Sequence, residues 1–163
     1  MRSAIKDRIR TYLGKSKTRR YAIGVIGYSD KKFNEAHAKG LIDVGLRSLI
    51  KDLGQPIKNI EIVSGLTALG IPLLAYKWAT RKGIRTVGIA CKKAEDYDCF
   101  DVDERIIHGD EWGAESKIFL DRCDALLRVG GGKQSMAEAL EFKKTGKPLF
   151  ELELAERKPH HDK

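Results

Sequence analysis

A chain of 163 residues that is 42% hydrophobic and 33% charged has room for one domain with a proper core. That balance excludes a disordered chain, and no apolar run approaches the ~20 residues of a membrane span. The net charge of +8 is local: in positions 1–20 eight basic residues against Asp7 carry +7 of it, leaving +1 for the other 143 residues.

That basic stretch, 1–20, reads as an arm or a short helix. Ile5, Ile9, Tyr12 and Leu13 fall on one helical face, and Gly14 is a plausible stop. An apolar face covering its own domain or a second subunit is the simpler account; phosphate contact with a nucleic acid is the other and is not favoured. Residues 21–28 form a near-continuous apolar run, the mark of a strand buried on both faces. Gly24 and Gly27 in it imply that a helix or a ligand comes close to the backbone. Residues 33–53 then show helical spacing, with Ala36, Leu41, Val44, Leu49 and Leu53 as inner-face candidates and Gly54-Gln55-Pro56 as the stop.

A second strand is expected at 60–63, followed by the small-residue loop from Ser64 to Gly70 and a helix over 71–82 with Pro72 in its first turn. Residues 86–90 are the third strand. The polar stretch 91–103 has no period; its five carboxylates lack the spacing of a hard-cation loop and read as a solvated loop. A short strand at 105–107 and a helix over 114–122 lead to a buried strand at 125–129. Three glycines follow it, then a helix from Lys133. Residues 145–148 turn, 149–150 open an edge strand, and 156–163 form a loose tail. Cys91, Cys99 and Cys123 form no C-x-x-C pair and read as free thiols in a reducing compartment. The cytoplasm is therefore the expected location, and no metal or cofactor is expected. Regular alternation predicts one α/β domain over 21–155: a three-layer sandwich with a mainly parallel sheet and helices on both faces.

The stretch from Asp124 to Leu140 organises the chain. A strand, a glycine turn (Gly130, Gly131, Gly132) and a helix N-terminus make an anion site, most often for phosphate. Lys133, Gln134 and Ser135 would complete it, and Glu138 lies within reach of a ligand held there. The simpler alternative is a β–α turn whose glycines only permit close helix–sheet contact. The spacing is neither a Walker A loop nor G-x-G-x-x-G. A second glycine-bearing loop, with Gly65 and Thr67, is expected to line the same crevice at the strand C-termini.

These residues resemble a known group. Gly27-Tyr28-Ser29-Asp30 is similar to the G-S-S opening of the LOG, or "lysine-decarboxylase-like", proteins, and the loop from Val63 to Gly70 to their second glycine loop. That second loop is also similar to one in DNA-processing protein A. Asp124-Ala125 followed by the segment from Gly130 to Glu138 resembles the LOG signature D-A … P-G-G-x-G-T-x-x-E. The resemblance spans roughly residues 21–150 and implies a Rossmann-like fold of the SLOG superfamily, which binds nucleotides or nucleotide-derived ligands. LOG members cleave a base from a nucleoside 5′-monophosphate. Here Gly130 stands for the signature's Pro, Gln134 for a Gly and Ser135 for its Thr. The catalytic arginine of the family falls on Glu115 and its neighbouring lysine on Ser116, with Lys117 adjacent.

Three functions follow as expectations. The first is glycosidic-bond cleavage of a nucleotide, with Glu138 and Lys117 as catalytic candidates and the 5′-phosphate on the N–H groups of 131–135. Gly27, Ser29, Gly65 and Thr67 would contact phosphate or sugar from the neighbouring loops. The second is a non-catalytic nucleotide sensor or carrier, and the third is nucleic-acid binding through residues 1–20. The resemblance also implies a homo-oligomer.

Overall fold

The computed structural model describes residues 19–30 and 32–157. Most of the basic arm, 1–18, and the tail from 158 onward lie outside the described residues. The elements run β1 (Tyr21–Gly27), α1 (Glu35–Leu53), β2 (Ile60–Ser64), α2 (Gly70–Arg81), β3 (Arg85–Ala90), β4 (Glu104–Ile107), α3 (Ser116–Arg122), β5 (Ala125–Val129), α4 (Lys133–Lys143) and β6 (Leu149–Leu152). Short 3-10 turns precede β2 and follow β3.

All six strands pair in parallel in one sheet of order β4-β3-β2-β1-β5-β6. The chain starts at β1, builds outward to β4, then crosses back to lay β5 on the other side of β1. The register there sets Ile23 beside Ala125 and Gly27 beside Val129, so two segments a hundred residues apart share the middle of the sheet. This is a Rossmann-like α/β fold with helices on both faces.

Alternation along each buried strand divides the core in two. Ile23, Val25, Ile62, Leu127 and Val129 face α1 and α2, which bring Ile42, Leu46, Leu74 and Trp78. Ala22, Ile26, Val63, Val87 and Leu126 face α3 and α4, which bring Phe119, Ala139 and Phe142. Because the chain leaves β1 toward one face and β5 toward the other, a crevice opens beyond their C-terminal ends.

Helix α1 starts where Asn34 caps it, its side-chain oxygen accepting from the His37 N–H at 2.8 Å, and ends at Gly54 in the left-handed region. Its buried stripe is Ala38, Ile42, Gly45, Leu46 and Leu49. Of the expected inner-face set only Leu49 is fully buried; Leu41 and Leu53 are partly covered, and Ala36 and Val44 face solvent. The face that meets the sheet is the i, i+4, i+8, i+11 line of Ala38, Ile42, Leu46 and Leu49, and Gly45 on it lies so close to Leu127 that a Cβ would stand 2.5 Å from its Cδ1. The close approach inferred at Gly27 is real and is made by protein: a Cβ there would stand 2.3 Å from the Val129 carbonyl and 2.7 Å from Ile71 of α2.

The N-terminal end of the sheet carries an ion network. Glu61 on β2 and Glu104 on β4 share Arg85 of β3 and Arg122 of α3, with Arg122 Nη2 donating to Glu61 Oε2 at 2.8 Å and Arg85 Nη2 to Glu104 Oε1 at 2.9 Å. Nearby, Asp124 accepts from the Ala22 N–H at 2.9 Å and from Arg19, so the aspartate of the D-A pair fastens β5 to the start of β1. At the far edge, the chain beyond β6 stays on the body through residue 157: Leu154 is buried, and the Arg157 N–H donates to the Lys32 carbonyl.

Candidate functional site

The turn from β5 into α4 is held by its surroundings. Buried Arg128 donates to the Gly130 carbonyl at 3.0 Å, to Glu151 of β6 at 2.8 Å, and to Glu153. The Gly130 N–H donates to the Leu152 carbonyl at 2.8 Å. The next residue, Gly131, sits at φ +108°, and a Cβ on it would meet the Ser135 side chain at 2.7 Å, so only glycine makes this turn without strain. Ser135 is buried, and its hydroxyl donates to the Gly27 carbonyl at 3.3 Å, drawing α4 toward the end of β1.

The consequence is a set of unused donors. The N–H groups of Gly131, Gly132, Lys133, Gln134 and Ser135 have no acceptor among the described residues. These are the orphan N–H groups of a helix N-terminus, carrying the positive end of the helix dipole. They open on a cleft of about 510 Å³, within the range of small-molecule sites.

Most of the residues singled out in the sequence meet in this cleft. Gly27 and Ser29 reach it from the end of β1, and Gly65 and Thr67 from the loop after β2. Gly131, Gly132, Lys133, Gln134, Ser135 and Glu138 line it from the β5–α4 side. Gly130 stands behind the loop against Tyr28 and Leu154, outside the lining. Lys117 is apart: its side chain is 85% exposed and its ammonium pairs with Asp121 at 2.9 Å on the outer side of α3.

Glu138 is buried on α4, and its Oε2 accepts the Ser116 hydroxyl proton at 2.7 Å. Burial raises its carboxyl above the ordinary carboxylate value, the Glu115 charge adds to this, and the Ser116 hydroxyl opposes it. Glu115 is buried beside it, accepting from the Gly113 N–H at 3.1 Å and from the Gln134 amide at 3.3 Å. No lysine or arginine among the described residues bonds either carboxylate. Such a pair accepts hydrogen bonds from hydroxyl or N–H groups of a ligand and favours developing positive charge.

Glu115, the position that the resemblance aligns with the family's arginine, lines the cleft from the start of α3. Tyr28 from the end of β1, and Tyr97 and Trp112 from the loops after β3 and β4, escape a sequence-based search. The sequence signal for the two aromatics is their presence in polar stretches where no core period calls for them. The stretch 91–103 is therefore partly a cleft wall: Ala94 is buried, and its backbone is tied to the second glycine loop by Ala68 N–H to the Asp98 carbonyl and Phe100 N–H to the Leu66 carbonyl.

No protein-family model matches this chain. No curated protein matches it either. Solved structures do. The chain is 25% identical to the molybdenum cofactor carrier protein of Chlamydomonas reinhardtii, over 82% of this chain and 76% of that one, with a TM-score of 0.64. It is 23% identical to the molybdenum cofactor binding protein of the phototrophic bacterium Rippkaea orientalis, over 83% and 77% of the two chains, also with a TM-score of 0.64. These likenesses fit a SLOG-type Rossmann-like fold. No helix of the described residues is long and apolar enough to cross a membrane.

Proposed function

We propose that this chain binds a phosphorylated small molecule, a nucleotide or nucleotide-derived ligand, in the cleft beyond β1 and β5, and holds it as a carrier or sensor. One observation carries this reading. Five unpaired backbone donors stand at one wall of a ligand-sized cleft, and a buried carboxylate without a cation stands one helical turn further on. A phosphate monoester satisfies the donors, and sugar or ring hydroxyls satisfy the carboxylate. The likeness to a molybdenum cofactor carrier protein supports binding without turnover, since that protein is described as a carrier.

Hydrolysis of a nucleoside 5′-monophosphate, as in LOG proteins, is the second reading, favoured by the burial of Glu138 in the cleft. Against it, Glu115 occupies the position of the family's arginine, and Lys117 is engaged with Asp121 outside. Glu115 cannot supply the cation that the family's arginine brings to the reaction. Nucleic-acid binding stands third: residues 1–18 lie outside the described residues, and Arg19 is engaged with Asp124. A homo-oligomer rests on the resemblance, and Met136 and Leu140, exposed one turn apart on α4, offer apolar surface for it.

The test is a thermal-shift series with inorganic phosphate, ribose 5-phosphate and nucleoside mono-, di- and triphosphates, with chromatography for free base. Stabilisation without base release is the expected result. Base release abolished by Glu138→Gln would transfer the protein to the hydrolases, and no stabilisation by any phosphate ester would remove the ligand assignment. Light scattering on the same samples reports the subunit count.

A further inference from the structure

The unpaired N–H groups occupy only one wall of the cleft, and 510 Å³ is far more than a phosphate fills. The opposite rim carries two large aromatic side chains, Tyr97 and Trp112, 52% and 46% exposed. They touch each other edge to face with ring centroids 6.0 Å apart. Leu69, also more than a third exposed, stands on the same rim. Aromatic surface left in water costs free energy, so a fold that holds two such rings outward at a cleft mouth retains them for an occupant.

The rim is anchored. The Tyr97 N–H donates to the Ala94 carbonyl, the Lys92 N–H to the Gly109 carbonyl, and Lys93 pairs with Glu111 beside Trp112. The Tyr97 segment is bridged to Thr67 of the second glycine loop through Cys99. Two independently placed loops are thus locked together with their aromatic side chains over one opening. A planar ring stacks on such surfaces whatever its hydrogen-bonding edge.

We propose that Tyr97 and Trp112 form a stacking subsite for the planar heterocycle of the ligand, a purine-like ring, across the cleft from the phosphate loop. The proposal rests on the phosphorylated-ligand reading above and adds the class of the ligand's far end. Glu115 and Glu138 line the same cleft and would accept hydrogen bonds from the polar linker that joins ring to phosphate.

Tryptophan emission tests this, because the chain holds two tryptophans and the other, Trp78, is buried with its Nε1–H donated to Asp43 on α1. Guanosine 5′-monophosphate, guanosine, ribose 5-phosphate and inorganic phosphate are titrated into the Trp78→Phe chain. Trp112→Phe in the otherwise native chain is the converse control should Trp78→Phe weaken the fold. The nucleotide is expected to quench Trp112 saturably, ribose 5-phosphate to bind by thermal shift without quenching, and Trp112→Phe to lose the quench. Tyr97→Ala and Trp112→Ala should each weaken the nucleotide on the order of tenfold and leave ribose 5-phosphate unchanged.

Equal affinity for nucleotide and ribose 5-phosphate, with no quench, overturns the stacking subsite and leaves the phosphate loop standing. Quenching by guanosine as strong as by its monophosphate, with no response to phosphate or ribose 5-phosphate, upholds the subsite and removes the phosphate reading. No response to any of the four removes both.

Discussion

The two ends of the sheet bury carboxylates in opposite ways. At the N-terminal end, Glu61 is enclosed, but Arg122 and Arg85 meet it, and Glu104 takes the remaining donors of the same arginines. Arg122 above all, with Arg85, brings the Glu104 carboxyl down to about 2. At the C-terminal end, Glu138 and Glu115 are as well buried but face a hydroxyl, an amide and a backbone N–H, and the Glu138 carboxyl is pushed up. A charge buried against its counter-charge is finished business for the fold, whereas one buried beside an open cleft against neutral groups is unfinished and awaits a ligand. Burial alone separates nothing here; the identity of the partner does.

Breaking the finished end should have the largest effect on stability. Arg122→Ala strips the main cation from Glu61, and with Arg85 still in place a loss of about 3 kcal/mol is expected in urea melts, with ligand affinity kept. The native chain should also lose stability as pH falls from about 4.5 toward 2, because Glu104 titrates below its unfolded value. That acid limb should flatten in the Arg122→Ala chain; an unchanged limb would mean that the network does not set it. Next comes the hinge of the open end. Gly131→Ala forces a side chain into φ +108° against Ser135, at a cost of about 1–3 kcal/mol, and should abolish binding of ribose 5-phosphate in the thermal-shift series.

Glu138→Gln sharpens the contrast, because its effect on stability has the opposite sign. A carboxyl raised in the folded state holds its proton longer than in the unfolded chain, so native stability declines as pH rises through the ordinary carboxylate range up to the raised value. The glutamine variant lacks that decline and should melt no lower than the parent at neutral pH, while its affinity for nucleotide drops. A lower melting temperature at neutral pH would show Glu138 to be a structural residue. The smallest effect belongs to Lys117→Ala, which removes an exposed helix pair worth about 0.3–0.5 kcal/mol and should leave binding untouched.

How much of this was legible in the sequence follows from where each signal resides. Strands buried on both faces announce themselves as apolar runs, and the 125–129 segment matches β5 residue for residue. The glycine loop was legible because its backbone requirement is met by so few residue types. The inner face of α1 was misread although Ala38, Ile42, Leu46 and Leu49 carry the helical period, because Leu41, Val44 and Leu53 add apolar residues off that line and hydropathy alone does not say which line meets the sheet. The aromatic rim was invisible as a site for a different reason. Its two rings come from the loops after β3 and β4, and only the tertiary crossover back to β5 brings them to the cleft that the glycine loop lines.

The Arg128 clamp has a consequence for the order of events during synthesis. The glycine loop is fixed to Leu152, Glu151 and Glu153, so its geometry depends on chain that leaves the ribosome some twenty residues after the loop itself. The central strand β1 likewise waits for β5, a hundred residues behind it. Strands β1 to β4 can pair as they emerge, but a nascent chain that ends before residue 150 has an unclamped loop and should not retain a ligand. The loop geometry is therefore complete only once β6 and the residues after it are in place beside β5.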